Sequence, residues 1–291
     1  MTETLPWGTS IAWYLFLAGL AAGAYATSAL ASFKDFRNTK RLQLIGRIVA
    51  LVVLAVGLVL LMFDASAGMK NPGRFFYLVS NPTSVMSWGV VILAIFGVII
   101  IVTLIIMLLK KAVPVWLDAI GLLLAFCTAG YTGVLIGVVK TYPFWNTALL
   151  PVLFVVSAFS AGMAAVFLGS AFFARKEVEG LGVLKRLRLF LPIAETLLII
   201  MLLLVTASAN PAAAESVHRL IAGDLALPFW LGLVVIGLAF PFLLELVTIR
   251  VKAGSTGAAA IDVAGGAGVL VGGFLLRYLI IFAAVPLVFV L

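Results

Sequence analysis

The chain has 291 residues, of which 65% are hydrophobic and 10% are charged, and its formal net charge is +8 at pH 7. Soluble globular proteins carry roughly 25% charged residues, so the polar remainder is too small to coat a water-facing surface. The composition excludes a soluble enzyme, a disordered chain, a disulfide scaffold and a nucleic-acid-binding protein. We therefore interpret the chain as an integral membrane protein in contact with lipid.

Apolar stretches recur along the chain, and each has about the 20 residues that a helix needs to cross the hydrocarbon core. The eight stretches cover residues 10–32, 44–63, 85–109, 115–139, 149–174, 189–209, 227–249 and 263–288. Alternating segments typical of a β-barrel are absent. The sequence predicts an all-α polytopic membrane protein, a single domain over 1–291, with eight transmembrane helices in two four-helix bundles. Pairs of small residues, Gly19 with Gly23 and Gly268 with Gly272, predict close helix packing.

Positive charge is distributed unevenly between the loops. The odd-numbered loops and their flanking turns hold fourteen basic residues: Lys34, Arg37, Lys40, Arg41, Arg47, Lys110, Lys111, Arg175, Lys176, Lys185, Arg186, Arg188, Arg250 and Lys252. The even-numbered loops hold Lys70, Arg74, Lys140 and Arg219. By the positive-inside rule the odd loops are cytoplasmic, so both termini are predicted to be extracytoplasmic. The net charge is then mainly an orientation signal.

Metal-ligating residues are scarce, since the sequence contains one cysteine, Cys127, and one histidine, His218. An iron–sulfur cluster normally takes four thiolates, and a membrane b-type haem needs paired histidines. The sequence therefore predicts neither haem nor metal in this chain. Any redox chemistry would use a substrate or cofactor that needs no metal ligands from it.

Ionisable residues inside the spans are costly in lipid and are therefore candidate functional residues. Arg277 lies about halfway along the eighth span, and Asp64, Glu195 or Glu245 are its candidate counter-ions. Glu195 lies about 9 Å inside the sixth span, whereas Asp118 and Glu245 lie within a turn of the cytoplasmic face. We interpret Glu195, Arg277, Glu245 and Asp118 as a candidate proton path. The alternatives are helix-pairing charges and, for Asp118 and Glu245, helix ends in contact with water.

Polar and aromatic residues also gather in the predicted outer leaflet. Ser10, Tyr14, Asp64 and Tyr131 come from the first, second and fourth spans and are expected to share a pocket. A single aromatic residue there is more often packing than ligand contact. The outer loops 64–84 and 140–147 are rich in aromatic residues, which also suit an interfacial belt. These are Phe75, Phe76, Tyr77, Tyr142, Phe144 and Trp145.

Several motifs carry a resemblance to a known family across nearly the whole chain. They are Pro6-Trp7-Gly8, residues 14–23, Asp64 with residues 72–75, the block from Asn81 to Gly89, Tyr131-Thr132-Gly133, Ser160-Ala161-Gly162, Glu195 and residues 272–278. The first-span block and the block from Asn81 to Gly89 are the specific ones. On these residues the chain resembles the NrfD/PsrC family of membrane subunits of polysulfide reductase and related molybdoenzyme complexes.

The resemblance implies an eight-helix, haem-free subunit in a bacterial or archaeal cytoplasmic membrane. Such a subunit exchanges electrons between membrane quinone and a ferredoxin-like iron–sulfur subunit, which serves a molybdenum- or tungsten-pterin catalytic subunit. The family's quinone site maps to Tyr14 and Tyr131, its aspartate to Asp64, its buried glutamate to Glu195 and its late arginine to Arg277. The usual arginine of the family's pattern after the second helix is missing from residues 64–72.

The residues and the resemblance together favour a quinone-reactive redox subunit that uses menaquinone or ubiquinone. A tyrosine hydroxyl can hydrogen-bond the ring oxygen while a carboxylate accepts the proton, so Tyr131 and Asp64 are assigned these roles, with Tyr14 and Ser10 as further contacts. The iron–sulfur partner is expected to dock on the outer aromatic loops. The alternatives are a secondary transporter of an ion or small solute and an inert membrane anchor.

Overall fold

The computed structural model describes residues 7–32, 39–64, 83–174, 182–248 and 256–287. Eight helices in these ranges are long and apolar enough to cross a membrane, and these ranges contain no strand. The helices are α1 (Thr9–Leu30), α2 (Lys40–Asp64), α3 (Val85–Leu108), α4 (Val115–Gly137), α5 (Leu149–Phe173), α6 (Gly182–Ala207), the short α7 (Pro211–Ile221), α8 (Pro228–Ala239 and Phe240–Thr248) and α9 (Thr256–Ala283). The predicted all-helical membrane fold is confirmed.

Three helices begin earlier than the apolar pattern predicts. α2 begins at Lys40, α6 at Gly182 and α9 at Thr256, whereas the apolar stretches begin at residues 44, 189 and 263. All three starts lie on the face that carries the excess of Lys and Arg. Apolar length marks the hydrocarbon core, and a helix can continue past it because its backbone hydrogen bonds are internal.

The segment between the sixth and seventh spans folds into an additional short helix. The side chain of Asn210 accepts a hydrogen bond of 2.9 Å from the amide of Ala213, and Pro211 occupies the first turn. Asn at the N-cap followed by Pro is a strong helix-start signal. The following span, α8, begins as a π-helix at Pro228–Ala239 and continues as an α-helix at Phe240–Thr248.

The spans form two groups that meet along α1 and α5. In the first group α1 packs on α2 and α4, and α3 packs on the same two helices; in the second, α5 and α9 pack together, α6 lies against α5, and α8 lies against α9. α1 crosses α5 where a Cβ atom at Gly23 or Gly162 would overlap the opposite backbone. A similar contact joins Gly237 of α8 to Gly272 of α9. The predicted roles of Gly23 and Gly272 in close packing are confirmed.

Candidate functional site

Two tyrosines from different helices meet in the half of the bundle that contains the start of α1. Tyr14 lies in the second turn of α1 and Tyr131 lies near the end of α4. Their exposed fractions are 1% and 8%, and their hydroxyl groups are close enough to interact. The structure thus brings together two residues that the sequence assigned to one site.

Glycine residues on the neighbouring helices make room for this tyrosine pair. A Cβ atom at Gly89 of α3 would overlap the ring and hydroxyl of Tyr131. A Cβ atom at Gly57 of α2 would lie 3.9 Å from Cδ2 of Tyr14. The pair is therefore bordered by all four helices of the first group. Gly89 ends one of the two specific motifs of the sequence, and the close contact with Tyr131 explains why a glycine is needed there.

The Tyr14 hydroxyl is buried without a hydrogen bond of normal geometry to any described residue. A buried tyrosine hydroxyl usually finds a partner, and an unsatisfied one costs about 1–3 kcal/mol. The Tyr131 hydroxyl beside it does not meet this need at hydrogen-bond geometry. The site therefore suits a bound molecule that presents an oxygen atom to one or both hydroxyl groups.

The two other predicted members of this site lie at helix ends. Ser10 lies one turn before Tyr14 on α1 and is partly exposed. Asp64 is the last residue of α2. The side chain of Asp64 and residues 65–82, which include the departure from the family's pattern, lie outside the described residues. The roles of Ser10 and Asp64 stay predictions.

A second polar group joins three helices inside the second half of the bundle. Arg277 of α9 donates from Nη1 to Oγ of Ser157 on α5 at 2.8 Å and to the carbonyl oxygen of Gly273 at 2.7 Å. Glu195 of α6 interacts with the same serine and with the charge of Arg277. Arg277 is 0% exposed and Glu195 is 3% exposed. Of the three candidate counter-ions, Glu195 is the one that the structure places at Arg277.

Arg277 also retains unsatisfied donors that face α1. Its Nε and Nη2 atoms have no hydrogen-bond partner among the described residues. The guanidinium lies 5.1 Å from the ring centre of Phe154 and 5.8 Å from that of Phe16, distances at which a ring face attracts a cation. A Cβ atom at Gly19 of α1 would lie 3.0 Å from Nη2. The charged group is therefore held against the helix that carries Tyr14.

Glu245 belongs to an ion-pair cluster closer to the basic face. Arg188 of α6 pairs with Glu245 of α8 and, at 2.6 Å, with Asp262 of α9. A cavity of about 20 Å³ is lined by Arg188, Glu245, Ser160 and Pro192. This volume holds about one water molecule. Since Pro192 lies one turn from Glu195 on α6, the cavity extends from the cluster toward the buried glutamate.

Asp118 lies in a separate cluster within the first half of the bundle. It pairs with Arg47 of α2 at 2.5 Å, accepts a bond of 2.5 Å from Ser32 and one of 3.4 Å from Tyr25. Both charged residues are 0% exposed, so the expectation that Asp118 is a helix end in contact with water is wrong. The structure does not bring Asp118 to Glu195.

Several members of these clusters were not identified as site residues from the sequence. They are Ser157, Asp262, Tyr25, Ser32, Arg47 and Arg188. Arg47 and Arg188 were counted only as orientation charges, and Asp262 immediately precedes the eighth apolar stretch. Arg47 could have been identified from the sequence, because it falls inside the second apolar stretch, where a basic residue needs a partner.

Two aromatic residues of the second outer loop are buried within the protein. Phe144 and Trp145 are both 0% exposed, the indole of Trp145 donates to the carbonyl oxygen of Ile280 at 2.7 Å, and Trp7 stacks on Trp145 at 5.1 Å. Neither side chain reaches solvent or lipid, so these two residues do not form an interfacial belt. Docking of a partner on the outer loops stays a prediction. The aromatic residues of loop 64–84 lie outside the described residues.

The residues that ligate metals are dispersed. Cys127 is exposed and His218 is exposed on α7. Within the described ranges no three His, Cys, Asp or Glu residues are grouped so that they could hold a metal ion. The polar groups of the clusters described above are hydroxyls, guanidinium groups and carboxylates.

The comparisons with known proteins agree on one family. The family described as "Polysulphide reductase, NrfD" matches residues 1–289. The C subunit of polysulfide reductase from Wolinella succinogenes is 30% identical, and the match covers 84% of both proteins. Protein NrfD of Escherichia coli is 28% identical over 97% of this chain and 95% of its own length.

A more distant archaeal relative has a name that specifies its substrate. The Hdr-like menaquinol oxidoreductase integral membrane subunit of Archaeoglobus fulgidus is 23% identical over 84% of this chain and 64% of its own length. The Wolinella and Archaeoglobus relatives are named as parts of oxidoreductases, in agreement with the membrane-embedded polar sites described above. The chain belongs to the NrfD/PsrC family of membrane subunits of oxidoreductase complexes.

Proposed function

We propose that this chain is the quinone- or quinol-reactive subunit of its complex, with a ring oxygen hydrogen-bonded by the Tyr14 and Tyr131 hydroxyl groups. The observation that carries the proposal is the buried Tyr14 hydroxyl, which has no hydrogen-bond partner of normal geometry among described residues and lies beside a second tyrosine hydroxyl. A quinone supplies two ring oxygens of the kind that hydroxyls bind. The archaeal relative named as a menaquinol oxidoreductase subunit supports a quinone substrate.

The roles of the individual residues follow from the chemistry of quinol oxidation, which releases two electrons and two protons. We assign the hydrogen bond to one ring oxygen to Tyr131 and a second contact to Tyr14. Ser10, one turn earlier on α1, contacts the ring from the open side. We assign to Asp64, at the end of α2, the acceptance of the two protons one after the other, with release of each to the extracytoplasmic water.

The partner in this proposal is a ferredoxin-like iron–sulfur subunit that serves a molybdenum- or tungsten-pterin catalytic subunit. It docks on the face that carries the start of α1, which places its cluster beside the tyrosine pair. The excess of basic residues on the opposite face supports an extracytoplasmic position for this docking surface, in a bacterial or archaeal cytoplasmic membrane. Electrons then pass between the bound ring and the partner without a metal centre in this chain.

Proton movement across the bundle forms the second part of the proposal. The Arg188 cluster, the cavity of about 20 Å³ and Glu195 follow one another from the basic face inward. Arg277 donates to Ser157, Glu195 lies near the same serine, and Arg277 lies against α1. We assign Glu195, Arg277 and Glu245 to this path. Asp118 belongs to the other half of the bundle and contributes a buried ion pair there.

The substitution Tyr131→Phe tests the quinone site. It removes one hydroxyl and keeps the ring that packs on Gly89, so assembly of the complex is retained. We expect quinol-linked turnover of the purified complex to fall at least tenfold, whereas turnover with an artificial donor to the partner's cluster stays unchanged. Tyr278→Phe is the matched control, because Tyr278 stacks on Phe282 at 4.4 Å in the same half of the membrane.

Two outcomes would contradict the assignment. If Tyr131→Phe keeps wild-type quinol-linked turnover, the ring is bound elsewhere. The second outcome is that the chain purifies without iron–sulfur protein and accumulates a solute in vesicles. The buried charges would then serve a secondary transporter, which is the alternative function.

A further inference from the structure

Helix packing explains the glycine of the motif Ser160-Ala161-Gly162 but not its serine. Gly162 lies at the tight crossing of α1 and α5, whereas Ser160 lines the cavity of about 20 Å³. Ser160 is 7% exposed, and its hydroxyl group has no hydrogen-bond partner among the described residues. Buried polar side-chain atoms are nearly always bonded to the protein or to ordered water, so this hydroxyl group suits a bound water molecule.

The two ends of this cavity differ in polarity. Arg188 and Glu245 line the end nearer the basic face. Ser160, Pro192 and Val269 line the opposite end, which lies deeper in the bundle. Ser160 therefore provides the polar side chain at the deeper end.

Glu195 lies one turn beyond the deeper end of the cavity. It follows Pro192 by three residues on α6, and Ser157, which lies near Glu195, precedes Ser160 by three residues on α5. Three residues correspond to about 4.5 Å along a helix axis. Cα–Cβ bonds tilt toward the N-terminus of a helix, so the side chain of Glu195 starts in the direction of Pro192 and the cavity.

A proline within α6 adds a hydrogen-bond acceptor for water. Pro192 has no N–H group, so the carbonyl oxygen of Arg188 lacks its usual helical donor. Arg188 and Pro192 both line the cavity. Together with the Ser160 hydroxyl and the Glu245 carboxylate, this carbonyl oxygen provides the about three polar partners that a buried water molecule typically bonds.

We propose that Ser160 holds a water molecule in this cavity and that this water passes protons between Glu245 and Glu195. In each transfer the water accepts one proton from the protonated carboxyl group and gives one proton to the other carboxylate, so it is regenerated. Ser160 is a positioning residue, because it fixes the water and carries no charge itself. The proton-carrying role rests on the proposed path through Glu195, whereas the water site does not.

Radiolytic hydroxyl-radical labelling of Met163 tests the water site in the complete complex. Met163 lines the cavity and is 1% exposed, so radicals reach its sulfur when they form on a water molecule beside it. We expect X-ray irradiation to oxidise Met163 in the wild type, as measured by mass spectrometry. Ser160→Ala should reduce this oxidation about threefold, since the water loses one of about three hydrogen bonds.

Ser170→Ala is the matched control for the loss of a hydroxyl group. Ser170 is buried on the same helix, its hydroxyl group also has no partner among the described residues, and it does not line the cavity. We therefore expect this variant to keep the wild-type oxidation of Met163.

Proton movement in proteoliposomes tests the role of the water. Ser160→Ala should lower the number of protons moved per electron about tenfold, since a positioned proton-transfer group contributes at least such a factor. Quinol-linked electron transfer should persist in this variant, whereas a general loss of structure would lower both quantities. Ser170→Ala should retain both.

Filling the cavity provides a second variant that keeps the serine. Gly266 lines the cavity, and a Cβ atom there would make ordinary contacts of 3.4 Å with the carbonyl oxygen of Ala164 and 3.6 Å with Leu168. Gly266→Ala should therefore fold normally, exclude the water and reproduce both effects of Ser160→Ala. Gly130→Ala, on α4 and away from the cavity, should reproduce neither.

Each measurement has an outcome that contradicts its part of the proposal. Absence of Met163 oxidation in the wild type, or unaltered oxidation in Ser160→Ala, would overturn the water site. Wild-type proton movement in Ser160→Ala would overturn the role of this water. If the wild type moves no protons, the proposed path fails together with the proton-carrying role, and the oxidation of Met163 still decides whether Ser160 holds a water molecule.

Discussion

Tyr14 and Arg277 are buried polar residues with side-chain atoms left unsatisfied among the described residues. Both are linked to α1, since Tyr14 lies on this helix and Nη2 of Arg277 faces Gly19. The two positions on α1 are separated by about 7.5 Å along the helix axis. The tyrosine pair and the buried charge therefore border the same helix.

Gly89→Ala tests whether the position of the Tyr131 ring matters for the proposed quinone chemistry. The added methyl group would overlap this ring, so we expect quinol-linked turnover to fall at least tenfold while the complex still assembles. Gly97→Ala on the same helix is the control, because its Cβ would meet only Leu54 at 3.7 Å, an ordinary contact. Equal losses in the two variants would show that α3 as a whole, rather than Tyr131, is sensitive.

Glu195→Gln tests the proposed proton path. The amide keeps the shape of the side chain but can neither take up nor release a proton, so we expect quinol-linked electron transfer to persist. Proton movement in proteoliposomes should be lost. Glu215→Gln on the exposed face of α7 is the control. Wild-type acidification or alkalinisation by Glu195→Gln would remove Glu195 from the path.

The sequence predicted the members of the two central sites but few of their partners. Glu195 and Arg277 were identifiable because each is an ionisable residue within an apolar stretch. Ser157 and Asp262 were not, since a serine or a helix-end aspartate becomes significant only through the rotation and depth of the helix opposite it. The burial of Asp118 could not be predicted for the same reason, because its partner Arg47 lies on another helix.

At the scale of helices, the crossing of α1 and α5 holds the two halves of the molecule together. Gly162→Val would place a branched side chain against the backbone of Gly23 and Ala24. We expect this overpacking to cost at least about 1–3 kcal/mol and to lower the midpoint of thermal unfolding in detergent. Gly130→Ala, whose Cβ would make an ordinary contact with Val155 at 3.6 Å, should leave the midpoint nearly unchanged. An equal midpoint in the two variants would contradict the tight crossing.

The existence of the eight spans was predicted from the sequence, whereas the short helix α7, the helix ends and the local geometry were not. Apolar length is dictated by the thickness of the hydrocarbon core, and this explains why all eight spans were found. The π-helical start of α8 has no apolar signature, because it changes the backbone hydrogen-bond pattern without changing the composition.

At the scale of the whole molecule, the two halves contain ion pairs at equivalent positions. In each half an arginine of the second helix pairs with an aspartate near the start of the last helix: Arg47 with Asp118, and Arg188 with Asp262. The sequence showed no clear repeat, because the equivalence lies in the placement of these charges rather than in extended identity.

Breaking the buried pair of the first half tests its structural role. Asp118→Asn leaves Arg47 charged and without its counter-ion, and the expected cost is about 3–5 kcal/mol. Replacing both residues with apolar ones should regain most of this loss. The measurement is thermal unfolding of the purified protein in detergent. Similar midpoints for the single variant and the wild type would mean that the pair does not stabilise the fold.

Quinone binding at the Tyr14 and Tyr131 hydroxyl groups is the central proposal for this protein. Equilibrium binding of a short-chain menaquinone analogue to the purified complex tests it most directly. Loss of one hydrogen bond of about 1–1.5 kcal/mol predicts about tenfold weaker binding in Tyr131→Phe and an unchanged affinity in Tyr278→Phe. Equal affinities in the wild type and both variants would contradict the claim.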